Sequence, residues 1–141
     1  NKYRNLMEEK EMTPHKLLTM ASLIEEEATQ QTDRKKIASV FYNRLEIDMP
    51  LQTDPTVAYA LGEHLDRTFY VHTEVDDPYN TYENKGLTPG PIANAGEESI
   101  QAALEPEDTD FFYFLANKKG EVFYSKTFDE HKRLVAEHIT N

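Results

Sequence analysis

Apolar residues at Leu17, Leu18, Ala21, Leu23, Ile24 and Ala28 recur at the spacing of one helical face, and Thr13-Pro14 ahead of them is a cap followed by a helix-starting proline. A second helix is predicted from Thr32-Asp33, with Ile37, Val40, Phe41 and Leu45 inward and Lys35 and Lys36 facing water. The two should form a helical hairpin. Asp54-Pro55 repeats the cap-then-proline signal before Thr56 to Leu61, and Gly62 supplies a stop. Glu97 to Leu104 reads as another short helix, closed by Pro106. Phe111 to Ala116 and Glu121 to Ser125 are β-prone runs joined by a turn at Asn117 to Gly120. Thr127 and Glu130 have the capping-box spacing and open a last helix through Leu134, Val135 and Ile139.

Between Gly62 and Gly96 the periodicity disappears and Tyr, Asn, Thr, Pro and Gly dominate. Structureless stretches of that length inside a compact domain are uncommon and are mostly functional or disordered. The Tyr, Leu and Ile content argues for order, so this segment is expected to be a site-forming loop. The pattern as a whole predicts an α+β fold: a helical N-terminal part, a long ordered loop, a small antiparallel sheet and a C-terminal helix.

The chain has 141 residues, 38% of them apolar, which is enough for one core and one folded unit. A formal net charge of -11 repels phosphate backbones, and no basic stripe offsets it, so nucleic acid is excluded as a partner. Cysteine is absent, which removes thiol catalysis, zinc-thiolate sites and disulfides. His15, His64, His72, His131 and His138 form no HExxH or other close ligand pair, so no metal is expected. No GxSxG, P-loop or dinucleotide fingerprint occurs. No apolar run approaches the roughly 18 residues that span a bilayer. The chain starts without Met, and it is expected to be a piece of a longer protein whose membrane anchor, if present, lies elsewhere.

Candidate chemistry begins with Glu25, Glu26 and Glu27 at the end of the most apolar helix. Successive residues turn by about 100°, so the three cannot share one environment. Glu26 aligns with Thr19 and Ser22 and is expected in water. Glu25 continues the stripe of Leu18, Ala21 and Ala28, and Glu27 that of Met20, Leu23 and Ile24. A carboxyl held on an apolar stripe stays protonated near neutrality, as a general acid must, whereas a solvated helix-end charge does not. Asp54 reads either as a helix cap or as a second carboxylate, with Gln52 and Thr53 beside it. Tyr79, Asn80, Thr81 and Tyr82 combine aromatic faces with amide and hydroxyl groups, which suits sugar rings, although Pro-Tyr-Asn also suits a plain turn.

Five blocks occur in order: Ala21-Ser22-Leu23-Ile24-Glu25-Glu26-Glu27; Ala38 to Leu45; Leu51-Gln52-Thr53-Asp54-Pro55-Thr56-Val57; Tyr79 to Tyr82; and Gly86-Leu87-Thr88-Pro89-Gly90-Pro91-Ile92. Together they resemble the MltG/YceG-like endolytic murein transglycosylases over nearly the whole chain. Ala28 stands where some members carry threonine, and Thr88 where many carry proline. The resemblance implies cleavage of peptidoglycan glycan strands after N-acetylmuramic acid to leave 1,6-anhydro ends. One glutamate, mapped to Glu25, would act as acid and then base. It further implies a groove including Glu27, Asn43, Gln52, Asp54, Tyr79, Asn80, Thr81 and Tyr82. No cofactor is expected, cell-wall synthases are implied as partners, and the full-length protein would lie at the extracytoplasmic face of the cell membrane. Three alternatives stay open: a lysozyme-type hydrolase using Glu25 and Asp54, a non-catalytic glycan-binding or scaffold module, and a pyridoxal-phosphate lyase, for which no residue speaks.

Overall fold

The structure is a computed structural model that describes residues 2–28, 33–62 and 74–138. Thr32, His64, His72 and Ile139 lie outside the described residues. Among those described, the order is α1 (Lys2–Glu9), α2 (Pro14–Glu27), α3 (Arg34–Glu46), α4 (Asp54–Leu61), α5 (Glu97–Leu104), β1 (Tyr113–Ala116), β2 (Val122–Ser125) and α6 (Phe128–His138). The fold is α+β, with the helical part first, as the hydrophobic pattern predicts.

The caps act where the sequence puts them, with one exception. Thr13 accepts from the Lys16 N–H at 3.1 Å and Pro14 opens α2. Asp33 accepts from Lys35 and Lys36, and Gly62 closes α4 in the left-handed conformation at φ 71. Thr127 accepts from the Glu130 N–H at 3.1 Å. The exception is Asp54, which is the first helical residue of α4 rather than its cap. Thr53 holds the cap position, and the Asp54 side chain is engaged elsewhere.

α2 packs on α3, α4 and α5, and α3 also packs on α5, so the core is helical. Met20, Leu23, Ile24, Phe41 and Leu104 are fully buried in it. Thr19 and Ser22, aligned with exposed Glu26, are themselves buried because the Gly-Pro-rich segment crosses over them. Ser22 accepts from the Ile92 N–H at 3.0 Å and donates to the Thr19 carbonyl at 2.7 Å. Leu18, expected inward, is 45% exposed. The polar N-terminus forms α1, which the pattern does not signal because it rests on α5 by little more than Leu6 and Met7.

β1 and β2 pair antiparallel from Tyr113↔Ser125 to Ala116↔Val122, closed by a turn in which Gly120 has φ 84. Phe114 meets Phe41 of α3 edge-on at 6.1 Å, which docks the hairpin on the helical core. α6 packs on both strands and buries no residue fully. The described part of the long loop is ordered by its own polar groups. Asn80, fully buried, accepts from the Tyr82 N–H and donates to the Val75 carbonyl at 2.8 Å. The Thr81 and Thr56 hydroxyls form a buried pair at 2.8 Å tied to the Thr53 backbone, with Thr81 accepting from the Thr53 N–H at 2.9 Å and Thr56 donating to the Thr53 carbonyl at 2.7 Å.

Candidate active site

The last turn of α2 sends its glutamates in three directions. Glu26 is exposed. Glu25 turns to the start of α5, where its Oε1 accepts from the Gly96 N–H at 2.8 Å and from the Ser99 hydroxyl at 3.0 Å. Arg34 lies 3.9 Å from its other oxygen. The Gly96 N–H, then Ser99 and Arg34, outweigh partial burial and hold this carboxyl below its ordinary value of 4.5. The expectation of a protonated Glu25 is therefore not what its surroundings produce: it is an ionised anchor at a helix N-terminus. An added Cβ at Gly96 would stand 3.3 Å from the Glu25 oxygen, so the approach is close.

Glu27 has the environment that Glu25 lacks. It follows the buried stripe of Met20, Leu23 and Ile24 and lines a cavity of about 350 Å³, within the range of ligand sites. Burial, then the neighbouring negative charges of Asp54 and Glu26, push its carboxyl up from 4.5 to about 7, with Arg44 acting in the other direction.

Of the other predicted site residues, Gln52, Asp54 and Tyr82 line the same cavity. Tyr82 donates its hydroxyl to Asp54 at 2.6 Å, and burial together with that bond keeps the phenol protonated. Gln52 is held at φ 52, a left-handed conformation costly for a residue with a side chain, and such outliers gather at functional sites. Asn43, Tyr79, Asn80 and Thr81 do not line the cavity. Asn43 donates to the Thr109 and Phe111 carbonyls, and Tyr79 packs on Tyr59 at 4.7 Å between ring centres. Asn80 and Thr81 hold the loop together as described above.

Several lining residues carry no sequence signal of their own. Arg44, 7% exposed, donates to the Phe112 carbonyl at 2.7 Å and the Leu51 carbonyl at 2.6 Å, with its guanidinium 5.3 Å from the Tyr113 ring centre. It stands in the second resemblance block, which is the one signal that could have flagged it. Tyr113, Phe128 and His131 line the same cavity as Glu27 and Asp54. Burial, then the nearby Arg44 charge, lowers the proton affinity of His131, so its imidazole is neutral at neutral pH. Among the described residues no three His, Asp or Glu side chains converge to hold a metal ion.

Comparison with known proteins gives a consistent result. A family model described as YceG-like matches residues 1–137. The chain is 60% identical over 139 residues to a Bacillus subtilis (strain 168) protein named endolytic murein transglycosylase, covering 99% of this chain and 39% of that protein. A protein of the same name from Streptococcus pneumoniae serotype 2 (strain D39 / NCTC 7466) is 39% identical over 145 residues, covering 99% of this chain and 26% of its own. The chain thus spans well under half the length of these curated relatives. A crystal structure of a yceG-like protein from Listeria monocytogenes superposes with a TM-score of 0.92 at 61% identity, covering 94% of this chain and 44% of that one.

Proposed function

The chain belongs to the YceG-like family, and from that membership we propose that it is the catalytic domain of an endolytic lytic transglycosylase acting on peptidoglycan. The observation that carries this reading is Glu27, a carboxyl raised to about 7 in a cavity that it shares with Asp54, Tyr82 and Gln52. The role that resemblance assigns to Glu25 moves two residues along the helix. Glu25 already has its partners at α5, and its carboxyl is held ionised.

Protonated Glu27 gives its proton to the glycosidic oxygen as the bond from the N-acetylmuramic acid anomeric carbon breaks. The sugar's acetamido group stabilises the positive charge. Glu27, now ionised, takes the proton of the same sugar's C6 hydroxyl, whose oxygen attacks the anomeric carbon and closes the 1,6-anhydro ring. No water is consumed, and Glu27 ends protonated, ready for another cycle. Hydrogen-bonded to Tyr82, Asp54 puts negative charge near the developing cation. A second reading, a lysozyme-type hydrolase, is favoured by that same pair of carboxylates in one cavity.

The test is mass spectrometry of uncrosslinked glycan strands after incubation with the wild-type protein, Glu27→Gln and Glu25→Gln. Anhydromuramic ends that vanish with Glu27→Gln and persist with Glu25→Gln are the expected result. Loss with Glu25→Gln alone would return the role to Glu25, and hydrated reducing ends would decide for the hydrolase. The 141 residues act in this proposal as one catalytic unit of a protein at the extracytoplasmic face of the cell membrane, working on strands delivered by cell-wall synthases. No helix among the described residues is long and apolar enough to cross a membrane.

A further inference from the structure

The cavity lining is of two kinds. Glu27, Arg44 and Asp54 bring charge from the helical part, while Tyr113 of the hairpin and Phe128 and His131 of α6 bring rings. Tyr113 lies 5.8 Å from Phe128 and 5.2 Å from His131, and Phe128 lies 6.3 Å from His131, centre to centre. The three rings make one continuous surface. Phe128 is 55% exposed although it has aromatic neighbours on the cavity side. A single exposed apolar residue is ordinary, but this one extends a ring cluster lining a pocket that holds two carboxylates. Held neutral by burial, His131 behaves in this cluster as an aromatic ring, and its Nδ1 is buried with no hydrogen-bond partner among the described residues. Lys132 places its ammonium 5.0 Å from the Phe128 ring centre, which puts a donor beside the apolar surface.

We propose that Tyr113, Phe128 and His131 form the platform on which an N-acetylhexosamine ring of the glycan strand stacks, in the cavity that holds Glu27. A pyranose chair presents a face of C–H bonds that carries slight positive charge and no hydroxyl, the complement of an aromatic face. Its rim of hydroxyl and acetamido groups points outward, within the scope of donors such as Lys132. Holding one sugar against this wall fixes where the next linkage falls relative to the acid, the positioning a single acid/base requires. The platform rests on the glycan-cleaving function proposed above, and binding separates the two.

The experiment titrates an uncrosslinked N-acetylglucosamine–N-acetylmuramic acid octasaccharide without stem peptides into Glu27→Gln protein, with and without Phe128→Ala. Phe128 is exposed, so its variant is expected to keep the parental melting temperature. Affinity is expected to fall about tenfold with Phe128→Ala and to hold with Phe128→Tyr, consistent with one lost aromatic contact. In the active enzyme, Phe128→Ala should lower kcat/KM about tenfold, with part of the loss in kcat because the linkage is no longer positioned against the acid. Unchanged affinity, or binding only to strands that carry stem peptides, would overturn the platform. Cleavage with unchanged Phe128→Ala binding leaves the reaction standing and removes the platform. Weakened binding in a protein that yields no cleavage products keeps the platform and removes the reaction.

Discussion

Two carboxyls two positions apart respond in opposite senses to pH. Glu27 is raised from 4.5 to about 7, so the folded state holds a proton that the unfolded chain releases between those values. Stability from this group therefore falls as pH rises from 4.5 to about 7 and is level above. Glu27→Gln removes the penalty and should be more stable than wild type at pH 8, by on the order of 3 kcal/mol, with the gap closed near pH 4. Glu25 is lowered, so its contribution is full above 4.5 and is lost as pH falls through its folded value. Glu25→Gln should accordingly cost about 1 kcal/mol at neutral pH and little in acid. Urea denaturation at pH 4 and pH 8 checks both signs. The same protonation should give kcat/KM a descending limb near pH 7, because only the protonated acid starts the reaction. At this scale the sequence singles out the last turn of α2, and which of its carboxyls is anchored depends on Gly96, more than 70 residues away.

At the scale of elements, what is local is legible and what is lent by distant neighbours is not. Thr13, Asp33 and Thr127 cap as read, because capping needs only the next few N–H groups. Asp54 escapes the same rule because Tyr82, 28 positions on, takes its carboxylate. Asn43, Tyr79, Asn80 and Thr81 look like sugar ligands by type, yet each is engaged inside the scaffold. Arg44 is the joint between elements: it ties α3 to the Phe112 carbonyl before β1 and to the Leu51 carbonyl before α4. Arg44→Met should leave those carbonyls without donors and lower stability by about 2 to 4 kcal/mol, with Arg44→Lys in between, since lysine lacks the planar fork. Thermal melts of the two variants measure it.

Across the whole molecule, stability is distributed unevenly. α2, α3 and α5 carry most of the fully buried side chains, with Thr56 and Val57 added by α4, whereas α6 has none and leans on a two-stranded sheet. Amide exchange should be slowest in the middle of α2 and α3 and fastest in α6, read by deuterium uptake of peptides from each helix. Uniform protection would contradict this gradient. The site straddles the boundary, with its acid on the firm part and its aromatic wall on the looser one. That division also explains what the sequence reveals of the site. The firm side is continuous with helix patterns and short blocks, while Tyr113, Phe128 and His131 meet only through the docking of the hairpin.

The anchoring of Glu25 at α5 also sets the rotation of α2 about its own axis. Inserting or deleting one residue ahead of Glu25 would turn the helix end by about 100°, taking Glu25 off Gly96 and swinging Glu27 away from the cavity together. Placement of the acid and attachment of α5 are thus indexed by the same pair of atoms. Length changes inside α2 are therefore forbidden twice over, whereas a change of side chain at exposed Glu26 leaves the helix in register and alters only the charge felt by Glu27.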